Sequence, residues 1–134
     1  MTVKVVEGAG YRLEFEYEAP RLRVRIIGGE DTGHRVSVEY WLRIAEEVRA
    51  RGAQQLLALD AMQGEAMGPE ELQRFFDAIS GHGLEQVRLA YVEGRLDQMS
   101  RIEYAELLAR ERGYDIRMFS NEAEAEVWLR YGMR

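Results

Sequence analysis

The residues with the clearest capacity for chemistry lie in loops predicted to follow the strands of an α/β chain. His34 stands three positions after Asp31, and Asp60 ends an apolar segment. An imidazole oriented by either carboxylate could act as a general base, and Arg35 or Arg95 could hold an anion. A single histidine among many acids is more often a solvated loop residue, so a hydrolase built on His34 is the less favoured hypothesis.

The sequence contains no recognisable cofactor or metal motif. Gly28, Gly29 and Gly33 lack the spacing of dinucleotide-binding and phosphate-binding loops, and we interpret them as turn residues. His34 and His82 are far apart, and the carboxylates around them are scattered. We therefore predict neither a cofactor nor a metal ion.

Charge argues against a nucleic-acid partner. The formal net charge is −6, and non-specific affinity for nucleic acids depends on clustered cations. The excess of acid is concentrated in residues 61–100, where only Arg74, Arg88 and Arg95 are basic. We interpret this segment as a solvated face rather than as a docking patch for a basic partner.

The absence of cysteine excludes disulfides, thiolate metal sites and a cysteine nucleophile. We find no basic-then-apolar leader and no apolar run long enough to span a bilayer. The expectation is a cytoplasmic chain whose residues 1–134 form a single domain, without an integral membrane segment.

The amino-terminal third has the alternation of antiparallel strands. Apolar side chains recur at every second position in 11–17 and again in 22–26, on either side of Ala19-Pro20. The polar residues between them are mainly acidic in the first run and basic in the second. Ion pairs across this hairpin should therefore set its register, and a shorter strand over 3–6 should precede it.

From Gly28 onward the apolar period changes from two to about 3.6 residues. The stripe through Trp41 predicts a helix that Ser37 caps and Gly52 ends, with Tyr40 off the stripe and exposed. Strands and helices then alternate to the end of the chain. The predicted segments are a strand over 55–60, a helix after Pro69, a strand over 87–92, a helix over 97–112, a strand over 114–119 and a helix capped by Asn121. The fold class is α/β, a mixed sheet with antiparallel amino-terminal strands followed by four consecutive strand-helix units.

This order of elements, the strand ending in Asp60 and the closing phrase FSNEAEAEVWL together resemble the STAS/SpoIIAA-like superfamily, the fold of anti-sigma-factor antagonists. The closing phrase is most similar to the SpoIIAA-like branch of small bacterial proteins. The resemblance covers nearly the whole chain and implies a regulatory module that binds proteins. It also implies a phosphorylated serine in the loop after the strand that ends in Asp60. No serine or threonine occurs from Gln54 to Ile79, so the phosphorylation switch does not carry over.

One function follows as the leading hypothesis, and a second follows as its alternative. The first is a non-catalytic interaction module that binds a protein partner or a second copy of itself through the segment from Asp60 to Phe76. The second is a carrier or sensor of a small apolar ligand, because SpoIIAA-like folds resemble lipid-binding Sec14-type domains. It requires an apolar cleft among Trp41, Met62, Met67 and Met99. The predicted partner- or ligand-binding residues are Asp31, His34, Asp60, Met62, Glu65, Met67 and Arg95.

Overall fold

The computed structural model describes residues 2–29 and 34–131, with only the backbone described for Thr2 and His34. It confirms an α/β fold with a six-stranded mixed sheet. The strands are β1 (Thr2–Gly8), β2 (Tyr11–Glu18), β3 (Arg21–Gly28), β4 (Gln55–Met62), β5 (Arg88–Glu93) and β6 (Asp115–Phe119). The α-helices are α1 (His34–Arg51), α2 (Pro69–Ile79), α3 (Met99–Glu111) and α4 (Glu122–Tyr131). Short 3₁₀ turns precede β5 and α3.

The strands lie in the sheet in the same order as in the sequence. β1, β2 and β3 pair antiparallel, whereas β3 to β6 pair parallel. The predicted lead-in hairpin and the four strand-helix units after it are therefore confirmed, and each parallel connection contains one helix.

The direction of these connections decides where the helices lie. Each connection from β3 to β6 leads to the adjacent strand, always in the same direction across the sheet. If all such connections are right-handed, their helices lie on the same side of the sheet. The helices α1, α2 and α3 share one face, which we call the helical face, and α4 returns along the other, which we call the α4 face. Side chains alternate between the two faces along each strand, and residues paired across neighbouring strands point to the same face. The strand pairing therefore assigns every residue of the parallel strands to one of these faces.

The main core fills the helical face. Leu22, Val24 and Ile26 of β3 point into it, in register with Leu56 and Ala58 of β4. Helices α1 and α3 pack directly on strands. Helix α2 packs mainly against α1 and α3 instead, so it forms a roof that stands away from the sheet.

The α4 face is apolar beneath α4. Leu57, Ala90 and Val92 pack there against Ala125 and Leu129. Over β2 and β3 the same face carries charges, as predicted, and Glu16 and Arg23 form a cross-strand ion pair of 3.5 Å. The sheet is thus covered on both faces in its parallel half and on one face in its antiparallel half.

Two details of α1 differ from the prediction. The helix begins at His34, so Ser37 lies inside its first turn and is buried rather than capping it. Tyr40 is also buried, with 4 % of its surface exposed, because it faces the core beside Trp41. At α4, by contrast, the predicted cap is confirmed, since the Asn121 Oδ1 accepts a hydrogen bond of 2.9 Å from the backbone N–H of Glu124.

None of the helices in the described ranges is long and apolar enough to cross a membrane.

We expect Leu129→Ala to lower the free energy of unfolding by about 2–5 kcal/mol, because it opens a cavity under α4, which covers the α4 face. Val127→Ala on the same helix should change it by less than about 0.5 kcal/mol, because Val127 is 54 % exposed. Urea denaturation of the two variants measures the difference. Equal losses would show that α4 does not pack as described.

Candidate functional site

Asp60 lies near the carboxyl end of β4, on the helical face. Its Oδ1 accepts a hydrogen bond of 2.9 Å from the backbone N–H of Met62, and its Oδ2 accepts one from the hydroxyl of Tyr91. Tyr91 belongs to the neighbouring strand β5 and points to the same face. Burial raises the pKa of the Asp60 carboxyl, and the two donors oppose that shift only in part. Asp60 is therefore a partly desolvated carboxylate held at a defined position.

Glu93 and Arg95 form a second polar group at the end of β5. Glu93 is only 2 % exposed, and both of its carboxylate oxygens accept hydrogen bonds of 3.2 Å from the Arg95 guanidinium. The backbone N–H of Arg95 also donates to Glu93 Oε1, at 2.9 Å. The Arg95 Nη1 donates to the carbonyl of Gln63, at 3.0 Å. Arg95 therefore joins two loops and neutralises a buried acid, rather than standing free for an anion.

The loop from Gln63 to Gly68 is held by side chains that come from the start of α3. The Gln98 Oε1 accepts a hydrogen bond of 2.8 Å from the N–H of Ala66, and the Arg101 Nη1 donates one of 2.8 Å to the carbonyl of Ala66. Glu65 is exposed and forms an ion pair of 3.7 Å with Arg101. Both the N–H and the carbonyl of Ala66 are therefore hydrogen-bonded to side chains at the start of α3, which fixes the loop there.

A cavity of about 100 Å³ lies between the helical face and the roof made by α2. Most of its lining is apolar, and the polar lining residues come mainly from the strand ends and the loops beside them. The side chains that line it from the helices are Ser37, Tyr40, Trp41, Leu72, Phe75, Phe76, Ile79, Arg101, Ile102 and Ala105. Those from the strands and loops include Asp60, Met62, Glu65, Met67, Leu84, Leu89, Tyr91, Glu93, Arg95, Tyr114, Ile116 and Met118.

The cavity runs along the strand direction and changes character from end to end. Leu89, Tyr91 and Glu93 alternate along β5 and all point into it. The end lined by Leu84, Leu89 and Ile116, which we call the deep end, is apolar. The end at the carboxyl ends of β4 and β5 is polar, and we call it the mouth because the exposed Glu65 and Arg101 line it. This is the edge at which open α/β sheets bind their ligands.

Three aromatic rings form one wall near the mouth. Trp41 stacks on Tyr91, with ring centroids 6.3 Å apart and planes inclined by 23°. Tyr40 packs against Trp41 at 6.3 Å. Burial raises the pKa of both tyrosines, and the charge of Asp60 raises each further, so both hydroxyls stay protonated.

Of the predicted site residues, Asp60, Met62, Glu65, Met67 and Arg95 all line this cavity. Met62 is 3 % exposed and Met67 is partly buried, so both belong to its wall. Trp41 lines the cavity as the apolar-ligand hypothesis required, whereas Met99 is not among its lining residues.

The predicted pairing of His34 with an acid rests partly on residues that the structure does not cover. Asp31 and the side chain of His34 lie outside the described residues. Across residues 2–29 and 34–131, no group of three or more histidine, aspartate or glutamate side chains is placed to hold a metal ion.

Tyr91 and Phe75 are functional candidates that sequence reasoning did not single out, and Tyr40 is one that it placed on the surface. All three point into the cavity. Tyr91 is two residues before Glu93 on β5, and the parallel register sets it near Asp60. The sequence alternation of β5 does place Tyr91 and Glu93 on the same face. Only the pairing of β5 with β4 shows that this face is the one that carries Asp60.

No protein-family model matches this sequence, and no characterised protein is significantly similar to it.

The deep end of the cavity suggests a stability test. The Tyr114 hydroxyl is buried with no hydrogen-bond partner among the described residues, whereas the Tyr11 hydroxyl donates a bond of 2.6 Å to Glu39. We expect Tyr114→Phe to leave the free energy of unfolding unchanged or raise it by up to about 1 kcal/mol, because an unsatisfied buried group is removed. Tyr11→Phe should lower it by about 0.5–1.5 kcal/mol. Chemical denaturation measures both, and a marked loss in Tyr114→Phe would reveal a partner for its hydroxyl.

Proposed function

We propose that this protein binds a small, mainly apolar molecule in the cavity beneath α2 and acts as its sensor or carrier. The observation that supports the proposal is the cavity itself, which is lined by apolar and aromatic side chains and has a few convergent polar groups at one end. Binding sites for small molecules have this composition and are usually preformed.

The size of the cavity restricts the ligand. An engineered protein cavity of about 150 Å³ accommodates benzene. A cavity of about 100 Å³ therefore suits a short branched chain or, with small adjustments of the wall, a single ring. The ligand we propose is much smaller than the lipids of Sec14-type domains.

The polar groups at the mouth favour binding over catalysis. The Asp60 carboxylate accepts two hydrogen bonds, and Glu93 is held in a bidentate ion pair. Groups fixed in this way orient a ligand well. The resemblance to the STAS/SpoIIAA-like superfamily remains a prediction and would make the protein a regulatory module whose state depends on occupancy of the cavity.

Filling the cavity tests this function. Ala105 on α3 lines the cavity, and Ala78 on α2 is exposed and does not. We expect Ala105→Leu to weaken binding of isobutanol, cyclohexanol and benzyl alcohol by at least about tenfold, or about 1.4 kcal/mol, because the added carbons occupy the ligand volume. Ala78→Leu should bind as the parent does.

The fluorescence of Trp41 provides the measurement. The chain has two tryptophans, and Trp128 packs on the α4 face, so a Trp128→Phe background leaves Trp41 as the reporter. Thermal unfolding with and without each alcohol gives a second measurement, because a ligand that binds only the folded state raises Tm. No response from the parent to any of the three alcohols, by either measurement, would refute the proposed function.

Protein interaction remains a second proposal, and the outer side of α3 favours it. Tyr104 and Leu107 lie one and two turns after Arg101 and are 40 % and 57 % exposed. Docking surfaces are built from neighbouring exposed apolar side chains, and these two would form part of one. In the segment from Asp60 to Phe76, by contrast, the residues with the largest apolar side chains are buried or partly buried.

Self-association through α3 is the form of this interaction that is simplest to measure. We expect Leu107→Glu to abolish any dimer that sedimentation equilibrium detects at micromolar concentration, because a charge would be buried in the contact. Ala78→Glu adds the same charge elsewhere and should leave the dimer intact. A parent protein that stays monomeric would exclude this form of interaction.

A further inference from the structure

The charges around the cavity indicate what kind of molecule it holds. We propose that the ligand is a small organic cation, an amine whose ammonium group binds the Asp60 carboxylate while its apolar body fills the deep end. The inference rests on the proposed function and specifies its ligand class.

Among the described residues, Asp60 is the carboxylate at the mouth that forms no ion pair, and the charge of Arg95 acts on it only from a distance. Around it, Glu93 is paired with Arg95 from the end of β5, and Glu65 in the loop is paired with Arg101 from α3. The nearby phenols, Tyr91 of β5 and Tyr40 of α1, are neutral. None of the ion pairs found across the described residues includes Asp60. The described charged side chains that line the cavity therefore sum to one net negative charge; they are Asp60, Glu65, Glu93, Arg95 and Arg101.

The Asp60 carboxylate also keeps free acceptor capacity. A carboxylate has about four lone-pair positions, and the Met62 N–H and the Tyr91 hydroxyl occupy one on each oxygen. Both neighbours are donors, so they favour the ionised carboxylate and leave positions that only another donor can use. An ammonium group supplies a donor and a compensating positive charge together.

The aromatic wall favours the same ligand. Tyr91 is bonded to Asp60, Trp41 stacks on Tyr91, and Tyr40 packs on Trp41. The faces of such rings attract cations, and the attraction is larger where water is excluded. An anion placed at the same point would be repelled by the carboxylate.

The deep end supplies the complementary part of the site. Leu89 and Ile116 of the sheet and Phe76 and Ile79 of α2 enclose it. A ligand with a short branched body and a single ammonium group therefore matches the cavity along its length.

A set of three molecules with the same tert-butyl body separates charge from shape. We expect tert-butylammonium to bind at least about tenfold more tightly than tert-butanol, and pivalate to bind more weakly than either. Isothermal titration calorimetry at pH 7 measures all three. If tert-butanol binds as tightly as tert-butylammonium, the cation inference fails while the proposed function stands. If neither binds, and none of the three alcohols tested above binds either, both the cation inference and the proposed function fail.

Asp60→Asn tests the carboxylate directly, with Asp115→Asn as the matched change at an exposed acid of β6 that does not line the cavity. We expect Asp60→Asn to remove the preference for tert-butylammonium over tert-butanol, and Asp115→Asn to keep it. Preserved preference in a folded Asp60→Asn protein would overturn the inference.

A pH series on the unchanged protein covers the case in which Asp60→Asn does not fold. Protonation of Asp60 removes the charge that the ammonium binds, so affinity for tert-butylammonium should fall as pH falls through the pKa of Asp60, which burial raises above its ordinary value. Affinity for tert-butanol should not fall with it. A parallel loss for both molecules would overturn the inference.

Discussion

The handedness of the crossover connections is the constraint on which the rest of this structure depends. Strand order follows the sequence, so the rule that parallel connections are right-handed places α1, α2 and α3 on one side. The first and third of these helices pack directly on strands, and α2 spans them as a roof. The space left between the roof and the sheet is the cavity.

The same arrangement concentrates polar groups at one end of an otherwise apolar space. Parallel strands end at the same edge, and alternation carries Asp60 of β4 and Tyr91 and Glu93 of β5 to the helical face. Burial of a charged group there carries a desolvation penalty, and Glu93 and Asp60 offset that penalty with different partners. Glu93 takes Arg95 as its partner, whereas Asp60 takes two neutral donors, the Met62 N–H and the Tyr91 hydroxyl.

Much of the fold was predictable because its signals are local. Alternation in 11–17 and 22–26 identified the hairpin, and the change of period after Gly28 identified the helices. The exceptions also have physical causes. Ser37 resembled a cap because a buried serine and a capping serine look alike in sequence. Tyr40 seemed to lie off the stripe because the buried arc of α1 includes Ile44 and is wider than the stripe we chose.

What the sequence determined by itself is the series of elements, their polarity and the loops that had to carry any site. Asp60, Met62, Glu65, Met67 and Arg95 were named on that basis, because loops at the ends of parallel strands must meet at one edge. Only the tertiary structure decided that Arg95 forms an ion pair with Glu93 and that the Tyr91 hydroxyl donates to Asp60. It alone also decided that α2 leaves a cavity above the sheet. These facts depend on register and on helix packing between segments distant in the chain, and no local pattern of residues encodes either.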